Sequence, residues 1–319
     1  MKTYATFQEA EGIGVPLFYE QKHPEAIEFI KTVLNDFPEM EYELNWSLAL
    51  HYCMNRQYEE SLDLFESSLA KGIFFPFPPE FNIWESLEKY APERFARIKT
   101  RSLHLREQAQ VTSRPKVEVV PPVTYNPGKK KSYPLFIILP GWGGDNEFSK
   151  RHWVSERLGK EFITAYIHSS QVVKTRGFAW DDLSLARKEI QTLVEQILRD
   201  YAVDPERIFI GGYSQGGKMA LEIVFSRIIP IKGFVLVCPG GGIPASLNKE
   251  NAAKAVEKGV RGYIITSERD DFLPEQQEAV KILQEAGLSY SMTINPGMYH
   301  WFPGNFSTQL DIAIEYITT

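Results

Sequence analysis

Ile208-Phe209-Ile210-Gly211-Gly212-Tyr213-Ser214-Gln215-Gly216-Gly217-Lys218-Met219-Ala220-Leu221-Glu222-Ile223-Val224 is the stretch whose reading decides the fold. A short apolar run of β type feeds a Gly-x-Ser-x-Gly turn, and a helix-forming segment follows at once. In that setting the turn becomes a nucleophile elbow. The chain must reverse from strand to helix within a few residues, so Ser214 is expected at a strained corner with its hydroxyl projecting outward. A side chain at Gly212 or Gly216 would collide with the neighbouring strand or helix. The helix that begins beneath the serine aims its N-terminal amides at negative charge developing on a substrate.

Partners for Ser214 follow in a telling order. The β-like run Gly262-Tyr263-Ile264-Ile265-Thr266 opens into Ser267-Glu268-Arg269-Asp270-Asp271-Phe272-Leu273-Pro274. Later, Ser289-Tyr290-Ser291-Met292-Thr293-Ile294 alternates like a strand and runs into Asn295-Pro296-Gly297-Met298-Tyr299-His300-Trp301. Each acid or base candidate thus lies just past the C-terminal end of a strand. Ser…Asp…His is the chain order of the α/β-hydrolases, distinct from the chymotrypsin and subtilisin orders. His300 would take the proton of Ser214, and Asp270 would hold the imidazole in its tautomer and stabilise the imidazolium. Upstream, Tyr133 to Leu139 reads as a buried central strand ending in Pro140-Gly141-Trp142-Gly143-Gly144-Asp145. In this fold such a loop supplies one N–H of an oxyanion hole and the residue after the nucleophile the other. The expected donors are the backbone amides of Trp142 and Gln215.

At these motifs the chain resembles the phospholipase/carboxylesterase family, which includes acyl-protein thioesterases. Gly212-Tyr213-Ser214-Gln215-Gly216-Gly217 is similar to its Gly-Phe-Ser-Gln-Gly-Gly elbow, and Leu139 to Gly144 resembles its Leu-His-Gly-x-Gly loop. Gly177-Phe178-Ala179-Trp180-Asp181 resembles an Ala-Trp-Phe-Asp segment, and Gly297-Met298-Tyr299-His300 a Gly-Met-Gly-His segment. Ser267-Glu268-Arg269-Asp270 with Pro274 parallels Gly-x-x-Asp-x-x-Val-Pro, which selects Asp270 over Asp271. Serine peptidases and dienelactone hydrolases share parts of these patterns. The resemblance covers about residues 117–319. Pro140 departs from it, standing where the family has a histidine, and Cys238-Pro239-Gly240-Gly241-Gly242 replaces a different loop. What the resemblance implies is a doubly wound, mostly parallel α/β-hydrolase sheet and hydrolysis of esters or thioesters through an acyl-enzyme on Ser214.

The first 112 residues read differently, as a small all-α domain of helical hairpins; 113–128 reads as linker and first strand, and 117–319 as the hydrolase domain. Pro24 to Leu34 starts with proline, as helices tolerate, and puts Ile27, Ile30, Val33 and Leu34 on one face. Ala26, Ile30 and Val33-Leu34 recur as Ser61, Phe65 and Ser68-Leu69, a shift of 35 residues. With Trp46, Leu48-Ala49, Tyr52 and Tyr58 between them, the repeat resembles the tetratricopeptide pattern. The small residues Ala26 and Ser61 would let two helices approach closely, and Pro38 stands where such a repeat closes. An irregular aromatic and proline stretch follows (Phe74 to Phe81), then further helix from Trp84 to Gln110. This region is expected to dock on the hydrolase or to bind a protein partner.

Composition restricts the setting. A net charge of −6 offers no basic surface for nucleic acid, and Lys129-Lys130-Lys131 reads as a solvated turn. No apolar run approaches the ~20 residues of a membrane span, and the start of the chain lacks an apolar signal core. Cys53 and Cys238 fall in different proposed domains and suggest no disulfide frame. The expected location is cytoplasmic. The six histidines show no paired metal spacing, and His23, His51 and His104 read as surface or packing residues. No Gly-x-Gly-x-x-Gly loop occurs, so neither a metal nor an organic cofactor is expected.

Further expectations concern the hydrolase part. Phe162 to Ile167 reads as a strand, Leu183 to Tyr201 as a helix capped by Asp181 or Asp182, and Asp204-Pro205-Glu206-Arg207 as the turn into the elbow strand. Between Val237 and Tyr263 there are 25 residues, room for a loop and one helix but not for a large lid. An open pocket walled by Trp142, Phe178, Trp180 and Trp301 is therefore expected, taking short acyl chains. Two competing classes are a serine peptidase acting on small peptides, and a non-catalytic adaptor using the helical region. The ordered nucleophile, acid and base weigh against the adaptor.

Overall fold

The computed structural model describes residues 3–78, 82–128 and 133–319, so the lysine run 129–131 and the end of the aromatic stretch at 79–81 lie outside it. The chain forms two compact units. One comprises the residues up to Ser113 together with Val172–Gly177; the other comprises Arg114–Gln171 and Phe178–Thr319. Residues 172–177, expected within the hydrolase part, thus group with the helices. Among the described residues no helix is long and apolar enough to cross a membrane.

The first unit is built from α1 (Phe7–Tyr19), α2 (His23–Asp36), α3 (Glu41–Met54), α4 (Tyr58–Ala70), α5 (Glu85–Tyr90) and α6 (Pro92–Thr112). Pro24 opens α2, which buries Ile27, Ile30 and Val33 of the face that the spacing predicts, together with Ala26, and leaves Leu34 half-buried. Ser61 is fully buried and its hydroxyl donates to the Ala49 carbonyl at 2.8 Å, so the small residue lets α4 lie close on α3. The long helix expected from Trp84 to Gln110 is broken at Ala91, whose φ of −142° and ψ of 69° leave the helical region. Pro92 causes this, because its ring disfavours helical backbone in the residue before it.

Phe65 is the centre of this unit. It is fully buried, with the rings of Phe75, Phe77 and Trp84 at centroid distances of 5.0, 5.2 and 5.5 Å. Residues 74–77 therefore fold back over the helical core, pinned where the Ser102 hydroxyl accepts from Phe75 N–H at 2.8 Å and donates to Phe75 C=O at 2.7 Å. Segment 172–177 joins the unit through paired bonds of Thr175 to Phe74, its hydroxyl accepting from Phe74 N–H at 2.8 Å and its own N–H reaching the Phe74 carbonyl at 3.2 Å. The Arg176 guanidinium lies 4.7 Å from the Tyr42 ring centre. His51 is buried with its Nδ1 3.1 Å from that of His23; burial, then the neighbouring His23, push it down to about 4.

The second unit holds a mostly parallel sheet between two helical layers. Its strands are β1 (Lys116–Val120), β2 (Tyr133–Leu139), β3 (Ile163–His168), β4 (Val203–Tyr213), β5 (Ile231–Val237), β6 (Arg261–Ser267) and β7 (Ser289–Asn295). They lie in the order β1-β3-β2-β4-β5-β6-β7, with β1 antiparallel to β3 and the others parallel. After β2 come the short helices α7 (Asn146–His152) and α8 (Glu156–Glu161), and alternation in β2 explains the two layers. Leu135, Ile137 and Leu139 face a core shared with α9 (Leu183–Asp200), α10 (Gln215–Ser226), α11 (Lys249–Glu257) and α12 (Leu273–Glu285). Phe136 and Ile138 face the other core, with Trp153, Leu158 and α13 (Phe306–Thr318). Asp204 to Arg207 lies inside β4 as an outward bulge, since Tyr133 pairs with Val203 and Leu135 next with Ile208. Asp182 caps α9, its carboxylate accepting from Leu185 N–H.

Phe65→Ala should cost about 3–5 kcal/mol in urea unfolding, the range for removing a buried aromatic ring. A loss below about 1 kcal/mol would show that the surrounding rings refill the space.

Candidate active site

The elbow is as tight as its glycines suggest. Ser214 has φ 52° and ψ −121°, a backbone region that costs a non-glycine residue on the order of 1–3 kcal/mol. Tertiary bonds hold it there. Its N–H donates to Val237 C=O at 3.0 Å, and its carbonyl accepts from Gly217 at 2.9 Å and Gly240 at 3.1 Å. A Cβ on Gly212 would stand 2.2 Å from the Gly216 oxygen, and one on Gly216 only 2.3 Å from the Leu139 oxygen. Only glycines allow β2, β4 and α10 to meet so closely.

Ser214, Asp270 and His300 come together from the ends of β4, β6 and β7. His300 Nε2 lies 2.9 Å from Ser214 Oγ, and His300 Nδ1 lies 2.9 Å from Asp270 Oδ1. The rings of Tyr213 and Phe272 flank His300 at 5.3 and 5.1 Å, and the Tyr213 hydroxyl donates to the His300 carbonyl at 3.0 Å. Asp270 is buried and Asp271 exposed. Asp270 Oδ1 also accepts from Phe272 N–H, and Oδ2 accepts from Gln276 Nε2, both at 2.9 Å. Burial pushes the Asp270 carboxyl up, but the His300 ring and these donors outweigh it and hold the group below the usual carboxylate range.

Gln276 is a residue that the sequence reading missed. It is buried on α12 beneath Asp270, while its neighbour Gln277 is exposed. Helical spacing to the buried Ala279 and Leu283 is the signal that separates the two.

Cys238 lies below the same pair, and its sulfur with the ligand atoms of Asp270 and His300 falls within 4.8 Å, the one such trio among the described residues. Burial pushes the thiol well up, so it stays protonated and is a poor metal ligand. The Asp270 and His300 atoms facing each other are already engaged in their own hydrogen bond.

The loop Pro140–Asp145 follows β2 as expected. Among the described residues, no protein group takes the backbone N–H of Trp142 or of Gln215. The four aromatic candidates differ. Trp142 is 36% exposed. Phe178 is half-buried and stacks on His168 at 3.9 Å, and Trp301 is half-buried against Phe148 and Tyr213. Trp180, expected as a pocket wall, is only 2% exposed and its indole N–H donates to the Pro140 carbonyl at 2.9 Å. It is a core residue, with no face left for a ligand.

Sheet order, a sharp elbow after the central strand and acid and base at later strand ends define the α/β-hydrolase class of fold. Residues 180–318 match the model of the Phospholipase/Carboxylesterase family, a span that takes in Ser214, Asp270 and His300. No curated protein matches the chain. Among solved structures, an uncharacterized protein from Bacillus cereus ATCC 10987 is similar over 98% of both chains, at 21% identity and a TM-score of 0.53. A Bacillus cereus carboxylesterase is similar over 66% of this chain and 99% of its own, at 18% identity and a TM-score of 0.49. A thermophilic esterase from the Planctomycetes species Thermogutta terrifontis is similar over 64% of this chain and 89% of its own, at 16% identity and a TM-score of 0.47.

The depressed Asp270 carboxyl makes a prediction about acid stability. Its ionised form contributes stability above the unfolded value near ~3.9, and that contribution is lost as pH falls through the lower folded value. Asp270→Asn should therefore flatten the acid-side slope of unfolding free energy against pH. An unchanged slope would mean that the folded carboxyl is not held down.

Proposed function

We propose that this protein is a serine hydrolase of carboxylic esters or thioesters. The observation that carries the reading is the unbroken hydrogen-bond chain from Ser214 Oγ through His300 to Asp270, seated at an elbow. On this reading, His300 Nε2 takes the Ser214 proton as Oγ attacks the carbonyl carbon. The oxyanion forms against the backbone N–H groups of Trp142 and Gln215, donors worth ~3 kcal/mol each when well aimed. His300 then gives its proton to the leaving alcohol or thiol, and an acyl-enzyme remains. Water, deprotonated by the same imidazole, releases the acid and restores Ser214. Asp270 stays ionised throughout and stabilises the imidazolium, which its low carboxyl value favours.

The phospholipase/carboxylesterase match supports ester chemistry over peptide cleavage. Trp142, Phe178 and Trp301 are the aromatic residues offered to an acyl group on this reading. Each methylene left unburied forgoes roughly 0.8 kcal/mol, so a site without a large lid favours short chains.

Ser214→Ala and His300→Ala should each lower p-nitrophenyl acetate turnover by several orders of magnitude in folded protein, as members of a triad act as a unit. Asp270→Asn should be crippling and Asp271→Asn mild. Near-normal turnover by Ser214→Ala would sink the mechanism. Acetyl and butyryl esters should give higher kcat/KM than octanoyl or palmitoyl esters, and aminoacyl anilides far lower values. Preference for the anilides would replace the esterase reading with the peptidase.

A further inference from the structure

Trp180 is buried, yet it is bonded through both of its N–H groups to the two segments that would form the oxyanion hole. Its indole N–H donates to the Pro140 carbonyl at 2.9 Å, and its backbone N–H donates to Gln215 Oε1 at 2.9 Å. Gln215 completes the link, its Nε2 donating to Asp181 Oδ1 at 2.7 Å. Phe178 adds a short bridge, accepting from Gly143 N–H at 2.8 Å and donating to the Gly144 carbonyl at 3.2 Å. The loop is also pressed onto the elbow: a Cβ on Gly141 would lie 2.9 Å from the Tyr213 ring and 3.2 Å from Ser214 Cβ.

These bonds have a common geometry. Trp142 stands two residues after the carbonyl that Trp180 holds, and Gln215 is the residue whose side chain Trp180 engages. The two amides that would face the oxyanion thus belong to separate segments spaced by one rigid indole. Pro140 has no polar side chain and no N–H, so its carbonyl is the handle by which this end of the loop is held. Loss of the indole donor leaves that buried carbonyl unpaired and free to turn.

We infer that Trp180 is a positioning residue that, with the Gln215 side chain, sets the separation of the Trp142 and Gln215 backbone donors. The inference rests on the serine-hydrolase reading. It gives the Gln215 side chain a role separate from that of its amide, and it predicts an effect on the transition state with little on substrate binding. Misplacing such donors by about 1 Å costs ~100-fold in rate, and losing one costs ~100- to 1,000-fold.

The test compares wild type, Ser214→Ala, Trp180→Phe and Gln215→Met in p-nitrophenyl acetate turnover and in inhibition by phenylboronic acid, whose serine adduct is tetrahedral and anionic. Trp180→Phe keeps an aromatic ring in the core and removes the indole N–H together with part of the ring system. Gln215→Met, which removes the other link without that loss of volume, is therefore measured beside it. Trp180→Phe should lower kcat by about 10- to 100-fold with KM changed less than about threefold. Affinity for the boronic acid should fall by a similar factor. Wild-type kcat and boronate affinity in folded Trp180→Phe would overturn the inference, even if its melting temperature were lowered. If Trp180→Phe does not fold, Gln215→Met decides: the same kcat-specific loss supports the inference, and wild-type kcat overturns it. Equal turnover by wild type and Ser214→Ala would instead remove the serine-hydrolase reading, and this inference with it.

Discussion

The left-handed backbone of Ser214 is the constraint on which the second unit depends. A residue with a side chain is held there only because β4 must stop, reverse and begin α10 within a residue or two. The reversal is possible because Gly212, Gly216 and the end of β2 touch backbone to backbone. That contact places β2 next to β4, and so sets the loop Pro140–Asp145 beside the serine. It also fixes where β5 must end, since Val237 C=O accepts the Ser214 N–H. Packing, sheet order and site geometry are in this sense consequences of one corner.

Around the corner, polar groups are arranged in depth. His300 is held by Asp270, Asp270 by Gln276 and Phe272 N–H, and Gln276 in turn by the Pro239 carbonyl at 3.0 Å. Each buried polar atom in this line has a partner, which is why a buried carboxylate can remain ionised there. A site built on strand ends and supported this way keeps its atoms placed without help from a substrate.

What was legible in the sequence was local or periodic. Glycines at 212 and 216, acid and base at the ends of β-like runs, and the apolar face of α2 all announce themselves within a few residues of chain. What was not legible depends on pairing across long separations. Residues 204–207 read as a turn, and only the register against Tyr133 and Leu135 makes them a bulge within a strand. Trp180 read as a pocket wall because tryptophan near a site is an ordinary wall; its bond to Pro140, forty residues earlier, reverses that role. The break at Ala91 is a different kind of miss, since Pro92 carried the signal and the surrounding helical periodicity hid it.

Thr175 and Arg176 have a consequence for synthesis of the chain. Domains generally fold in order as they leave the ribosome, the N-terminal one first. Here the helices up to Ser113 emerge early, while Val172–Gly177, which pairs with Phe74 and covers Tyr42, is made only after β1, β2 and β3. During that interval the Phe74 backbone groups lack the partners they have in the finished unit. The nascent helical unit is therefore an incomplete body, and its closure is timed by the translation of its neighbour.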